Sequence, residues 1–122
     1  MLIIDEETGN QTVRQGDSYK FEVEGVDDSY TMYYSVYNSS REIIFEIMAT
    51  PQQGVTTFEV TSADSNKLTV PVNKKSETYY YGLKRCKNGY EDTLVVGNKS
   101  VSDLNKVLVY PLTTEGSVND NS

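Results

Sequence analysis

Apolar and polar residues alternate with a period of two along most of this chain, the spacing of strands that bury one face and wet the other. In SYKFEVEG, Tyr19, Phe21 and Val23 share one side and Lys20, Glu22 and Glu24 the other. YTMYYSVYN sets Tyr30, Met32, Tyr34 and Val36 against Thr31, Tyr33, Ser35 and Tyr37, and Asn38-Ser39-Ser40 ends the run. REIIFEIMATP alternates less cleanly: Ile43, Phe45 and Ile47 oppose Ile44, Glu46 and Met48, and Pro51 removes a ladder donor at its end. GVTTFEVT follows a PQQG turn and places Thr56, Phe58 and Val60 on one side.

SADSN, residues 62–66, has the composition of a capped single turn, and LTVPVN predicts a short edge strand interrupted at Pro71. The clearest hairpin lies in ETYYYGLKRCKNGYEDTLVVG, where Asn88-Gly89 supplies the two positive φ angles of a type I′ turn. Its first strand sends Tyr79, Tyr81 and Leu83 one way and Tyr80, Gly82 and Lys84 the other. Tyr79 and Tyr81 therefore read as core, and the Tyr79 hydroxyl is placed to return to backbone near Leu68 or Val70 as a tyrosine corner. A last strand alternates Val107 and Val109 with Leu108 and Tyr110.

These elements predict an all-β fold, an immunoglobulin-like antiparallel β-sandwich of seven or eight strands, with a small closed barrel as the rival. Nothing in the pattern supplies the crossover helices of a parallel α/β sheet. The chain divides into a single domain over residues 1–112 and a disordered polar tail, TTEGSVNDNS, over 113–122. The expected core is Phe21, Tyr34, Phe45, Phe58, Tyr79, Tyr81 and Leu83. Expected sheet edges are the segment around Pro71, which the proline blunts, and the terminal strands around Ile3 and Val109, the expected docking side.

Composition narrows function mainly by exclusion. At 122 residues the chain suits one modest core. No run approaches the roughly 20 apolar residues of a membrane helix, and MLIIDEETGN lacks the basic and long apolar parts of a signal peptide. Synthesis in a reducing compartment, without export, is the expectation. Eleven basic against eighteen acidic residues, a net charge of -7, disfavour nucleic acid as a partner, because affinity there comes from neutralising phosphates. The sequons at Asn10, Asn38 and Asn98 carry no weight without secretion.

Chemistry is scarce as well. There is no histidine and only one cysteine, so neither a Ser-His-Asp or Cys-His arrangement nor a Cys/His zinc site can be built. Cys86, between Arg85 and Lys87, reads as inert or partly buried. Of the acidic groups, Asp5-Glu6-Glu7 reads as solvated surface, Asp27-Asp28 as turn residues, and Glu91 and Asp92 as strand neighbours that diverge. No catalytic residue, metal site or cofactor is expected, and the chain reads as a non-enzyme. Three tyrosines on wet faces, Tyr33, Tyr37 and Tyr80, are the candidate binding residues.

The order of motifs carries a resemblance. QGD at Gln15, Gly16 and Asp17 leads into an alternating strand, TSADSNKL forms a capped turn, and ETYYYGLK and DTLVVGN follow. From about Thr12 to Pro111 this resembles the N-terminal immunoglobulin-like domain of upper baseplate proteins, and related small virion proteins, of tailed phages of Gram-positive bacteria. The resemblance implies a structural protein of the virion that docks on other tail or baseplate proteins, with a homo-oligomer on assembly left open. Proteins of that family continue into a helical or fibre-forming region, whereas this chain stops at Ser122, which leaves tail, neck and head-decoration roles open. The alternative is a carbohydrate-binding module that stacks sugars on the exposed tyrosines.

Overall fold

Alternation becomes strand wherever one side of a segment finds a partner to bury it. A computed structural model of the chain describes residues 1–94 and 105–112. Among them are nine strands: β1 (Leu2–Ile4), β2 (Gln11–Arg14), β3 (Tyr19–Glu24), β4 (Thr31–Tyr37), β5 (Ile43–Ala49), β6 (Val55–Val60), β7 (Glu77–Lys87), β8 (Tyr90–Leu94) and β9 (Asn105–Tyr110). A single helical turn, α1 (Ser62–Ser65), is capped by Thr61, whose hydroxyl accepts the Asp64 N–H at 3.2 Å. The fold is all-β, and no described helix is long and apolar enough to cross a membrane. The polar tail at 113–122 and Gly97, the end of the DTLVVG run, lie outside the described residues.

Two sheets share one core. The larger has seven strands in the order β1-β2-β9-β7-β4-β5, with β8 also paired to β7, and the smaller is β3-β6. The eleven-residue β7 is the spine: β4 covers one side, while β9 and β8 share the other, over Glu77–Tyr81 and Leu83–Lys87. Phe21 and Phe58 of the small sheet meet Tyr34 of the large one at centroid distances of 4.8 and 5.8 Å, and Tyr81 and Phe45 close the ring cluster around Tyr34. All seven expected core residues are buried, joined by Val13, Met32, Val36, Val60, Leu68, Val107 and Val109.

Local turn chemistry agrees with the sequence. Asn88 and Gly89 adopt φ of 50° and 83°, and Lys87 pairs with Tyr90, closing the two-residue hairpin. The Tyr79 hydroxyl donates to the Thr69 carbonyl at 2.7 Å, between the two positions expected for it. Gly16, at φ 87°, donates its N–H to Ser65 Oγ at 3.0 Å, and Gln15 Nε2 donates to the Asn66 carbonyl at 3.0 Å, so the QGD turn is seated on the α1 turn.

Four expectations need correction. The large sheet is mixed rather than antiparallel, because β2 runs parallel to β9, with Gln11 opposite Val107 and Arg14 opposite Tyr110. Alternation reads the same in both directions, and no tight turn links these distant strands to fix their sense. The strand count exceeds eight, since the short LII run of β1 also pairs. The LTVPV segment forms no strand: its backbone is taken by turns and by the tyrosine corner, with Leu68 N–H bonded to the Ser65 carbonyl, Thr69 C=O to Tyr79, and Pro71 C=O to Lys74 N–H. Val109 is no edge either, because β9 lies between β2 and β7, so the main strand path ends at β1 and β5, with β8 a side branch paired to β7.

Candidate functional site

The outward residues of β4 and β7 form one surface on the face of the large sheet turned away from the core. Cross-strand register sets Tyr37 opposite Tyr80, Ser35 opposite Gly82 and Tyr33 opposite Lys84. The three tyrosines picked from the sequence are thus all half-buried on the same face. Tyr37 and Tyr80 are immediate neighbours, while Tyr33 stands about 13 Å along β4, at roughly 3.3 Å per residue. Between them Ser35 and Gly82 leave a low saddle, and Ser35 Oγ donates to Glu46 Oε2 on β5. The Tyr33 ring is already engaged: Lys84 Nζ lies 5.7 Å from its centroid and 3.1 Å from Glu91 Oε1. The hydrogen bond to Glu91 raises the Lys84 pKa. The open aromatic pair is Tyr37 with Tyr80.

Beyond Tyr33 the surface reaches β5, where Met48 pairs with Tyr33. β5 ends the large sheet, and its outer backbone has no strand partner among the described residues. Ile43 and Met48 are 56% and 65% exposed there. The sequence placed Ile43 on the same face as Phe45 and Ile47, but only Phe45 is fully buried, Ile47 partly. A register shift beside Tyr37 sets Ile43 opposite it and turns the isoleucine outward, which simple alternation cannot anticipate. Among the described residues, β3 exposes Lys20, Glu22 and Glu24 at its edge, β6 exposes Thr57 and Glu59, β8 exposes Glu91 and Asp92, and β1, with Ile3 and Ile4 exposed, is only three residues long.

The groups in which chemistry was sought have structural duties. Asp28 accepts from the N–H groups of Gln53 and Gly54, both at 2.9 Å and both in left-handed backbone. Asp27 accepts from Ser29 N–H at 2.8 Å, a bond that holds its carboxyl below the usual range. Glu91 and Asp92 diverge, one to Lys84 and one to Arg85. Cys86 is half-buried. Its cationic neighbours face the other way along the strand, with Arg85 and Lys87 stacked on the Tyr30 ring at 4.7 and 5.2 Å.

Sequence reasoning missed a polar chain inside the core. Gln11, 1% exposed, accepts from the Tyr34 hydroxyl at 2.7 Å, and Tyr34 bonds the Tyr19 hydroxyl at 2.9 Å. Tyr81 donates to the Gly9 carbonyl at 2.6 Å. Burial pushes the phenols of Tyr19 and Tyr81 up to about 12 and that of Tyr34 well above its ordinary value, so all three are neutral donors at ordinary pH. The available signal was four tyrosines at inward positions, each with a hydroxyl that burial obliges to find a partner. No protein-family model and no curated protein matches the chain.

Proposed function

We propose that this chain is a non-enzymatic assembly module of a tailed phage or prophage, an immunoglobulin-like sandwich made in the bacterial cytoplasm and built into the virion by docking on other tail or baseplate proteins. The order β9-β7-β4-β5 facing β3-β6 fits G-F-C-C′ facing B-E in a variable-type domain, and the tyrosine corner falls on β7, the F position of that scheme. The order of sequence motifs supports the phage assignment.

The observation that carries the docking role is the β5 edge. It offers seven residues of backbone with exposed Ile43 and Met48 and neither lysine nor proline within the strand, and its one charged side chain, the exposed Glu46, is tied to Ser35 Oγ, whereas an edge kept monomeric is normally blunted by several free charges or by proline. An extended segment of a partner would add to β5 as a further strand, with main-chain bonds giving affinity and apolar contacts with the exposed Ile43 and Met48 giving register. Co-expression with neighbouring tail proteins, followed by size exclusion, tests this reading. Wild type is expected to co-migrate with one of them, and an Ile43→Lys, Met48→Lys variant with unchanged circular dichroism is expected to elute alone. Failure of wild type to co-migrate with any virion protein refutes the assignment.

A further inference from the structure

Across β1, β2, β9 and β7 the register aligns Ile3, Thr12, Leu108 and Thr78 in one row on the outer face. The adjacent row runs from Lys106 on β9 to Tyr80 on β7 and Tyr37 on β4. Along the first row is a recess of about 370 Å³, lined by that row together with Lys106 of the second and by Asp5, Asn10 and Gln11. That volume falls at the small end of ligand pockets, roughly 300–1,000 Å³.

We propose that this recess is a saccharide site for a neutral, hydroxyl-rich ligand of one or a few sugar rings. A pyranose has an apolar C–H face and a rim of hydroxyls, and the recess offers both complements. Leu108 and Ile3 supply an apolar floor, and the hydroxyls of Thr12 and Thr78 act as donor or acceptor; Tyr80 is outside the lining itself but on the same sheet face, opposite Lys106 and two residues along β7 from Thr78, within reach of a ligand that overhangs the recess. Asn10 uses Oδ1 to accept the Lys106 N–H at 3.0 Å, which aims its side chain along this wall and leaves its amide hydrogens for a ligand oxygen. The lining charges are one lysine and one aspartate, so they balance. An anionic ligand gains no net attraction from this lining, and nucleic acid is further disfavoured by the chain's charge of -7. The site goes beyond the docking role and lies across the sheet from β5, so each claim can fail without the other.

The test is a titration of the isotope-labelled chain, followed by amide NMR, with neutral oligosaccharides built from glucose, galactose, N-acetylglucosamine or rhamnose. At least one is expected to shift the amides of Thr78, Lys106 and Leu108 at millimolar concentration. Tyr80→Ala should weaken that ligand at least about fivefold, the loss of one aromatic stack. Should Tyr80→Ala disturb the fold, Thr12→Gln, which lays a longer side chain over Leu108, should weaken it comparably. Tyr33→Ala, remote from the recess, should change affinity by no more than about twofold. The proposal is overturned if no sugar in the panel shifts these amides, if the shifts map to β5 and Tyr33 instead, or if neither recess variant affects binding.

Discussion

Removing one oxygen, in Tyr34→Phe, tests whether the buried polar chain is a stabilising part of the core. A phenol has one hydrogen, and Tyr34 gives its own to Gln11 Oε1, so the shared 2.9 Å contact must be donated by Tyr19. The substitution breaks both bonds and strands two buried groups, the Gln11 carbonyl oxygen and the Tyr19 hydroxyl. Two net hydrogen bonds are worth about 1 to 3 kcal/mol, and orphaned buried groups cost about 1 to 3 kcal/mol each, so a loss of about 3 kcal/mol is expected. With no tryptophan in the chain, urea unfolding is best followed by circular dichroism, where the midpoint should fall at constant slope. Adding Gln11→Leu removes one stranded partner. The double variant should therefore be more stable than the summed single losses imply, by at least about 1 kcal/mol of coupling. A single loss below about 0.5 kcal/mol, or strict additivity, would refute the network's role.

Three further outcomes are expected. On the alkaline side, stability should be level from neutral pH to about pH 10 and fall above it: the folded pKa values of Tyr19, Tyr34 and Tyr81 are raised, so the unfolded chain loses those protons first, at up to about 4 kcal/mol per pH unit for three groups. Urea midpoints that stay flat from about pH 10 to about pH 12 would contradict this. Tyr79→Phe should cost about 1 kcal/mol by denaturant melt, since it removes the bond to Thr69, whereas Tyr80→Phe should cost much less. Gly16→Ala should destabilise by about 1 kcal/mol or more because of its left-handed φ of 87°, while the half-exposed Leu112 side chain, whose Cδ2 would lie 2.6 Å from the new Cβ, can turn aside; an unchanged melting temperature would count against that account.

What the sequence made legible was whatever neighbouring residues settle among themselves. The faces of β3 and β7, the Asn88-Gly89 hairpin, the Thr61 cap and the tyrosine corner each depend on a few residues whose side-chain period or backbone preference is nearly unambiguous. What stayed hidden depends on distant pairings. The parallel sense of β2 and β9 joins segments more than ninety residues apart, and the outward turn of Ile43 follows from a register shift that only the β4 partner defines. The three surface tyrosines were legible as wet, yet their grouping was not. Tyr37 and Tyr80 meet because β4 and β7 pair in one particular register, and a slip of one residue would have set Tyr37 over the core-facing row of Tyr79 and Tyr81.

The same distinction bears on what the phage resemblance supports. Its motifs are joints: Gly16 and Gln15 are fastened to Ser65 and Asn66 of the α1 turn, and the tyrosine-rich strand is fastened through Tyr79 to Thr69. Joints of this kind specify how the chain closes its core, and a chain can keep them while replacing every residue on the outer sheet face and on β5. The likeness therefore supports the architecture more strongly than it supports any partner. A partner must be read from residues outside those joints: Ile43 and Met48 at the open edge, Thr12 and Leu108 lining the recess, and Tyr80 beside it on the same face. Substituting the exposed Ile43 and Met48 should leave folding nearly unchanged, whereas Tyr80, Thr12 and Leu108 are half-buried, so a loss of docking or of sugar binding reports on function where circular dichroism shows the variant folded as wild type.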